Sequence, residues 1–295
     1  MSRKELVRLG AAGAGLSLLG IAGCGREAAP RRTRLTLGNI RWDEDVALNS
    51  ALRVLLEERF DYEVQLRLAD TGAMYQGVHS GDLDAFMDTW LPSTQEAYWR
   101  RYENKVTRLA PWYEGGASTG LAVPDYVEAR SIADLNKHWA DFDGRITGIE
   151  AGAGEMGVVK GFVIPRYELD YTLEASTTPT MLSALEDAIR EEKPIVVTAW
   201  QPHWMFDAYP IRYLEDPKGL MGEEEQLAAM VGKDLQRNKP EAYAMIKAAR
   251  LNREQLIGLE REINESGPEM GAHNWLEENQ SVVRPWTEAA QEAKS

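Results

Sequence analysis

WLPSTQ (residues 90–95) and AWQPHW (residues 199–204) each follow a short apolar run and place a tryptophan two residues before a proline. The apolar runs predict strands, so Trp90 and Trp200 each lie at the carboxyl end of a strand. Trp42 lies just beyond a third such run, residues 35–38. Because open α/β sheets bind ligands outside the carboxyl ends of their strands, these three rings are predicted to share one site.

Two stretches of similar organisation end at these tryptophans. Strand, helix, strand, helix and strand are predicted in that order over residues 35–90, and the same order returns over residues 145–200. In both stretches the glycine that ends the first strand lies 52 residues before the closing tryptophan. This alternation predicts two α/β lobes of matching topology, each with a mainly parallel sheet.

Two extended segments, residues 117–124 and 211–217, are predicted to cross between the lobes as a two-strand hinge. Residues 223–294 are predicted to be helical, with breaks at residues 238–240, at Asn252 and at residues 266–268, and to pack back on the first lobe. A helix of the second stretch is predicted to end before Pro165. The predicted boundaries are residues 1–23 for a signal peptide, 24–34 for a lipidated tether, 35–120 with 215–295 for lobe I, and 121–214 for lobe II.

The amino terminus differs from the rest of the chain. Arg3, Lys4 and Arg8 precede an apolar stretch over residues 9–22 that is typical of a secretory signal peptide. The stretch ends in small residues directly before Cys24, the single cysteine, and resembles the bacterial lipobox, in which the cysteine carries a lipid. We therefore predict Sec export and a lipid anchor at Cys24, with the protein on the periplasmic or outer face of the cell membrane.

The charge balance excludes one class of partner. The chain has a formal net charge of −14, and −16 without residues 1–23, because that segment holds three basic and one acidic side chain. A strongly acidic surface repels phosphates, so no nucleic-acid binding is expected. The four histidines lack companions at metal-binding spacing, so neither a metal nor another cofactor is expected.

Three indole faces around one cleft suit a quaternary ammonium ion. Such an ion is a weakly hydrated cation without a strong hydrogen-bond donor, and the ring quadrupole attracts it. Three desolvated cation–π contacts contribute about 3 to 6 kcal/mol, whereas micromolar affinity requires about 8 kcal/mol. Other contacts must therefore add the remainder. Residues 152–156 follow a strand and open a helix, where free N–H groups offer a site for a carboxylate.

Several motifs occur together in this chain: RWDE (41–44), TWLPST (89–94), GLAVP (120–124), ITGIEAGAG (146–154), KPIVVT (193–198), WQPHWMF (200–206) and YLEDP (213–217). The set resembles one family, the substrate-binding lipoproteins of glycine betaine ABC importers of the OpuA type, from about residue 35 to the carboxyl terminus. The resemblance implies a type II periplasmic-binding fold, with two α/β lobes that are joined by a two-strand hinge and close on one ligand. It also implies a monomer that delivers its ligand to the membrane subunits of an ABC permease.

Position by position, the resemblance implies ligand-binding roles for Trp42, Trp90, Trp200, Gly154 and Glu155. Some family members carry a histidine five residues after the second tryptophan, where it binds the carboxylate. This chain has Gln95 there, a donor without positive charge. Glu155 stands where an apolar residue is commoner, and its side chain would oppose an anionic group if it pointed inward. We therefore expect glycine betaine as the first ligand. The alternative ligands are choline, carnitine, proline betaine and dimethylated sulfonium analogues.

The remaining candidates are interpreted as structural. His203 and Trp204 are predicted to support the site from outside, and the acids of residues 43–45 are interpreted as solvated or helix-starting groups. The other tryptophans are interpreted as half-buried packing residues; they are Trp99, Trp112, Trp139, Trp275 and Trp286.

Two other functions compete with transport. No serine lies in a nucleophile elbow, so no enzyme activity is expected. An alternative of another class, a surface-anchored hydrolase of choline or betaine esters, would need a Ser-His-Asp geometry near Trp200. A sugar-binding module is less favoured, because such sites usually surround the rings with several carboxylate or amide partners.

Overall fold

The structure, a computed structural model, describes residues 32–294. The predicted signal peptide, Cys24 and nearly all of the predicted tether lie outside the described residues. Within the described range, the strands are β1 (Thr33–Asn39), β2 (Tyr62–Leu68), β3 (Ala85–Leu91), β4 (Thr107–Pro111), β5 (Ser118–Pro124), β6 (Arg145–Thr147), β7 (Thr172–Glu174), β8 (Val197–Gln201), β9 (Ile211–Tyr213) and β10 (Gln226–Val231).

The α-helices of the same range are α1 (Asp43–Arg59), α2 (Thr71–Ser80), α3 (Glu96–Tyr102), α4 (Gly154–Val158), α5 (Ile164–Arg166), α6 (Thr178–Arg190), α7 (Met205–Ala208), α8 (Leu235–Asn238), α9 (Pro240–Ala248), α10 (Arg253–Ser266), α11 (Pro268–Glu278) and α12 (Gln280–Lys294). A 3₁₀ segment covers Ile132–Phe142, and a π-helical turn, Val159–Val163, joins α4 to α5. None of the helices in residues 32–294 has the length and apolar character needed to span a membrane.

The strands form two five-stranded sheets of the same topology. The first has the order β2-β1-β3-β10-β4 and the second the order β7-β6-β8-β5-β9. In each sheet the first three strands are parallel, and the fourth runs antiparallel to both of its neighbours. We refer to the α/β layers built on the first and second sheets as lobe I and lobe II. The predicted residue boundaries of the lobes stay a prediction, although β5 already joins the second sheet at Ser118.

The chain passes between the sheets twice, from β4 to β5 and from β9 to β10. The two crossings pair with each other at one antiparallel bridge, in which Ala117 and Glu225 exchange N–H···O bonds of 3.0 and 2.7 Å. Few residues therefore connect the lobes, and those residues are hydrogen-bonded side by side. Such a connection suits a rotation of one lobe against the other.

Two predictions for the carboxyl-terminal half were wrong. The helical interpretation of residues 223–294 missed β10, which lies between β3 and β4 in the first sheet. Its apolar segment is only six residues long, and its periodicity does not separate a buried strand from a buried helix. The helical region that begins at α4 also continues past Pro165, because proline is tolerated in the first turn of α5. The breaks at Pro240 and Pro268 are confirmed, since each residue begins a helix.

Three of the five tryptophans that were interpreted as half-buried lie deeper than the sequence indicates, and Trp139 is more exposed. Trp112, Trp275 and Trp286 are 1%, 4% and 1% exposed and belong to the core, whereas Trp139 is 45% exposed. Trp112 donates its indole N–H to the Met87 carbonyl at 2.7 Å, so its one polar atom is satisfied inside the core.

Candidate functional site

A cavity between the lobes contains the three predicted rings. Trp42, Trp90 and Trp200 all line it, and its empty volume is about 260 Å³. The rings are 5%, 3% and 3% exposed, so the lobes stand closed around the cavity. The prediction that the three indoles meet at one hollow therefore agrees with the geometry. The rest of the wall consists of Glu44, Thr94, Thr119, Ile149, Ala153, Gly154 and Glu155.

Matching strands position two of the rings. Trp90 lies near the end of β3 and Trp200 near the end of β8, and the two strands hold the same place in their sheets. The peptide bonds Leu91–Pro92 and Gln201–Pro202 that follow them are both cis. Trp42 is the N-cap residue of α1 and is separated from the end of β1 by two residues. The two similar segments of the sequence therefore supply one ring from each lobe.

Each of the three indoles donates its N–H to a carboxyl group. Trp42 donates to Glu150 Oε2 at 3.3 Å, and Trp200 donates to Glu44 Oε2 at 3.0 Å. These two bonds cross between the lobes in opposite directions, since Trp42 and Glu44 belong to lobe I. Closure therefore completes both bonds at once.

The third indole is held within lobe I. Trp90 donates its N–H to Asp88 Oδ1 at 2.9 Å, and Asp88 is fully buried. The acids of residues 43–45 lie in the first turn of α1, as the helix-starting interpretation implies, but Glu44 and Asp45 are 0% exposed rather than solvated. Asp45 accepts the Ile40 N–H at 2.7 Å, which holds the turn from β1 into α1. The sequence interpretation therefore missed Glu44, Asp88 and Glu150, since nothing in their local pattern distinguishes them from surface acids.

Burial changes the ionisation of these acids. Desolvation raises the pKa of Glu44 well above its usual value, and the charge of Asp88 raises it further. Desolvation likewise raises the pKa of Asp88, with the charge of Asp45 as the next cause. Two adjacent buried carboxyl groups cannot both ionise cheaply, so we expect the pair to retain a proton.

Gly154 and Glu155 lie where α4 begins, opposite the tryptophan-bearing strand of lobe I. A Cβ at Gly154 would lie 2.2 Å from the Thr94 carbonyl oxygen, so only glycine permits this approach of the two lobes. Thr94 is itself held by Glu225, whose carboxylate accepts the Thr94 N–H at 2.8 Å and the Thr94 hydroxyl. Glu225 thus joins the bridge between the two lobe crossings, formed with Ala117, to the cavity wall at Thr94.

The Glu155 side chain is turned into lobe II rather than left without a partner. Its Oε1 accepts the Ala199 N–H at 3.1 Å. Burial raises the pKa of this carboxyl group well above its usual value, and the backbone hydrogen bonds at Ala199 and Gly120 lower the pKa by less than burial raises it. Glu155 still lines the cavity. The first turn of α4 adds backbone N–H groups that have no partner within the helix.

Gln95 does not lie on the cavity wall. Its side chain is 0% exposed, accepts the Tyr75 hydroxyl at 2.9 Å and donates to the Asp88 carbonyl at 3.1 Å. Both ends of the amide are therefore used inside lobe I, and the expected approach of Gln95 to a ligand carboxylate is not seen in this structure.

His203 and Trp204 support the site from outside, as their predicted places imply. The His203 Nδ1 accepts the Met205 N–H at 3.0 Å, so the proton on Nε2 is assigned as pointing to Asp43 Oδ2 at 3.2 Å. The His203 ring meets Trp200 edge-on, with ring centroids 4.6 Å apart. Trp204 donates its indole N–H to Asp43 Oδ1 at 2.7 Å. Within the described chain, the wall residues include no serine, cysteine or histidine.

Replacing Glu44 by glutamine is expected to change how stability depends on pH. Because the folded-state pKa of Glu44 is raised, its stabilising contribution is complete below the pKa of the unfolded chain and is lost as the pH rises through the folded pKa. Glutamine keeps an acceptor for Trp200 but does not titrate. The free energy of unfolding of Glu44→Gln, minus that of the wild type, should therefore be higher at pH 8 than at pH 5 by about 1 kcal/mol or more.

Urea denaturation at the two pH values measures this difference. The control is Glu58→Gln, an exposed residue of the same helix. An equal difference at pH 5 and pH 8 for Glu44→Gln would contradict the burial-induced shift.

Comparisons with known proteins identify the family. Residues 33–278 match the model of the substrate-binding domain of ABC-type glycine betaine transport systems. The glycine betaine/carnitine transport binding protein GbuC of Listeria monocytogenes is 37% identical over 150 residues, which span 50% of this chain and 50% of that protein. The aligned part thus covers only about half the length of this curated relative.

Solved structures agree with the fold. The lactococcal OpuAC in its closed conformation with glycine betaine is 33% identical, with a TM-score of 0.80 over 86% of this chain and 99% of that one. The glycine/betaine/L-proline-binding protein ProX of Borrelia burgdorferi is 27% identical, with a TM-score of 0.83 over 88% of this chain and 100% of that one. The predicted type II periplasmic-binding fold is confirmed, and the chain belongs to the family of substrate-binding domains of glycine betaine ABC transport systems.

Proposed function

We propose that this protein binds glycine betaine outside the cytoplasm and delivers it to the permease of an ABC importer. The single observation that supports this most is the cavity between the lobes that Trp42, Trp90 and Trp200 all line. The family is one of transport binding proteins rather than of enzymes.

The trimethylammonium group would lie among Trp42, Trp90 and Trp200. The cationic methyl groups cannot form strong hydrogen bonds, so they lose little when water is removed and gain cation–π attraction from each ring. Three such contacts contribute about 3 to 6 kcal/mol, and the backbone N–H groups at Gly154 and Glu155 would bind the carboxylate at the amino end of the helix. We propose Gln95 as a support for Asp88 and thus for Trp90, rather than as a carboxylate ligand.

The relatives favour glycine betaine as the first ligand. The lactococcal structure holds glycine betaine, and the Listeria protein is named for glycine betaine and carnitine. Carnitine, proline betaine and choline remain the alternatives, because the ring cluster recognises the ammonium group that all four compounds share.

A calorimetric panel of these four compounds tests the proposal. We expect glycine betaine to bind with a micromolar or lower Kd, and Trp200→Ala to weaken that binding at least tenfold through loss of one ring face. Trp139→Ala is the matched control in the same lobe, because Trp139 lies outside the cavity. If none of the four compounds bound to the wild type, or if both variants weakened binding equally, the proposed site would be wrong.

Closure of the lobes on the ligand is tested at Gly154. Gly154→Ala would place a methyl group against the Thr94 backbone, so we expect at least a tenfold loss of glycine betaine affinity with the fold intact. Gly157→Ala is the control, since a Cβ there meets nothing within 4 Å and the residue belongs to the same helix, α4. Small-angle scattering with saturating glycine betaine should show compaction for the control and not for Gly154→Ala. Equal compaction of both variants would contradict this account.

We further propose that a lipid on Cys24 anchors the protein to the cell membrane. The small residues before this single cysteine support the proposal. In cells, Cys24→Ala should move the protein from the membrane fraction to the soluble fraction and abolish labelling by a radioactive fatty acid. Unchanged membrane association of the variant would exclude the anchor.

A further inference from the structure

The carboxyl groups of Glu44, Asp88 and Glu150 accept the indole N–H bonds of the three cavity tryptophans and have no part in the cation–π contacts described above. All three cavity indoles, and Trp204 behind them, donate to carboxyl groups, whereas Trp112 and Trp139 elsewhere donate to backbone carbonyls. A carbonyl satisfies an indole N–H at no cost in charge. A buried carboxyl group costs free energy unless something compensates it, so its use at all three rings needs a physical reason.

Glu44 differs from the other two acids because it also lines the cavity. Its Oε2 accepts the Trp200 N–H, while its Oε1, like Asp88 Oδ2, is buried and accepts no N–H or hydroxyl group of residues 32–294. The Glu44 and Asp88 carboxyl groups can share one proton in a hydrogen bond with each other, so neither has a positively charged partner there. The residue Glu44 is 0% exposed. Solvent therefore cannot compensate its charge.

The described cavity wall contains no lysine, arginine or histidine that would neutralise Glu44. The groups that interact electrostatically with it are acids as well; they are Asp43, Asp45, Asp88 and Glu260. The cavity is thus a low-dielectric space in which negative charge lacks a counter-ion. A permanent cation in the cavity would supply one, whereas a neutral group of the same shape would not.

We propose that Glu44, supported by Asp88 and Glu150 behind the rings, is the counter-charge that selects a permanent cation over an uncharged group of the same shape. This inference rests on the proposed function and adds a specificity-determining residue to it. The rings then provide shape and cation–π attraction, and Glu44 provides the charge discrimination. A cation that enters the cavity offsets the desolvation of Glu44 and so favours its ionised form.

Two ligands of the same shape separate charge from packing. Glycine betaine and 3,3-dimethylbutanoate differ only in the nitrogen or carbon atom that carries the three methyl groups. Glu44→Gln keeps the side-chain length and an acceptor for Trp200 but removes the carboxylate. We expect this variant to weaken glycine betaine binding at least tenfold, and to leave 3,3-dimethylbutanoate binding within twofold or strengthen it.

Both affinities can be measured by titration of the indole fluorescence, with the carbon analogue at millimolar concentration. Glu58→Gln is the matched control, since it removes one carboxylate from an exposed position of α1 and should change the glycine betaine Kd less than twofold. Circular dichroism checks that the Glu44→Gln variant is folded.

Each other outcome is decisive. If both ligands weakened by the same factor, Glu44 would only position Trp200, and the counter-charge proposal would fall. If neither ligand were affected, Glu44 would have no role in recognition. A wild-type protein that binds the carbon analogue as tightly as glycine betaine would also overturn the proposal while leaving a ligand site intact. If the wild type bound neither compound, the proposed function would fail, and this inference would fail with it.

Discussion

Buried carboxyl groups that accept indole N–H bonds are the constraint on which the cavity depends. Trp42, Trp90 and Trp200 are large and almost fully buried, and each has one donor that must be satisfied in a dry environment. The acceptors are acids of both lobes, so the groups that orient the rings are also the groups that we propose as the counter-charge. Any change that neutralises or moves these acids alters the two properties together.

The matching topology of the lobes explains why the rings can converge. In both sheets the third strand ends in the sequence Trp-x-Pro, and the helix after the first strand begins at the cleft. Glu44 and Glu155 consequently hold equivalent positions, each being the second residue of its helix. One Glu holds the ring of the opposite lobe and the other holds its own lobe's strand. The two glutamates at equivalent positions therefore have different hydrogen-bond partners at the same cleft.

The sequence alone predicted much of the fold because the lobes are built from local patterns. The order strand, helix, strand, helix and strand predicted for residues 35–90 agrees with β1, α1, β2, α2 and β3. The strand β10 was missed, because a short apolar run in a helical region has no local feature that marks it as a strand. Its place in the first sheet follows only from the return of the chain to lobe I.

The candidate site likewise contains residues that local sequence patterns identified and residues that they did not. Strand ends, a helix start and the family motifs identified the three tryptophans, Gly154 and Glu155, since these features are local in the chain. The inward position of Glu44, the partners of Gln95 and the approach of Gly154 to Thr94 join residues that are distant in sequence. Whether an acid at a helix start is solvated or buried depends on what the closed lobes place against it. The sequence by itself therefore determined which rings and which helix start line the candidate site, and only the tertiary structure decided which acids surround them, because burial and electrostatic interaction are properties of packed neighbours.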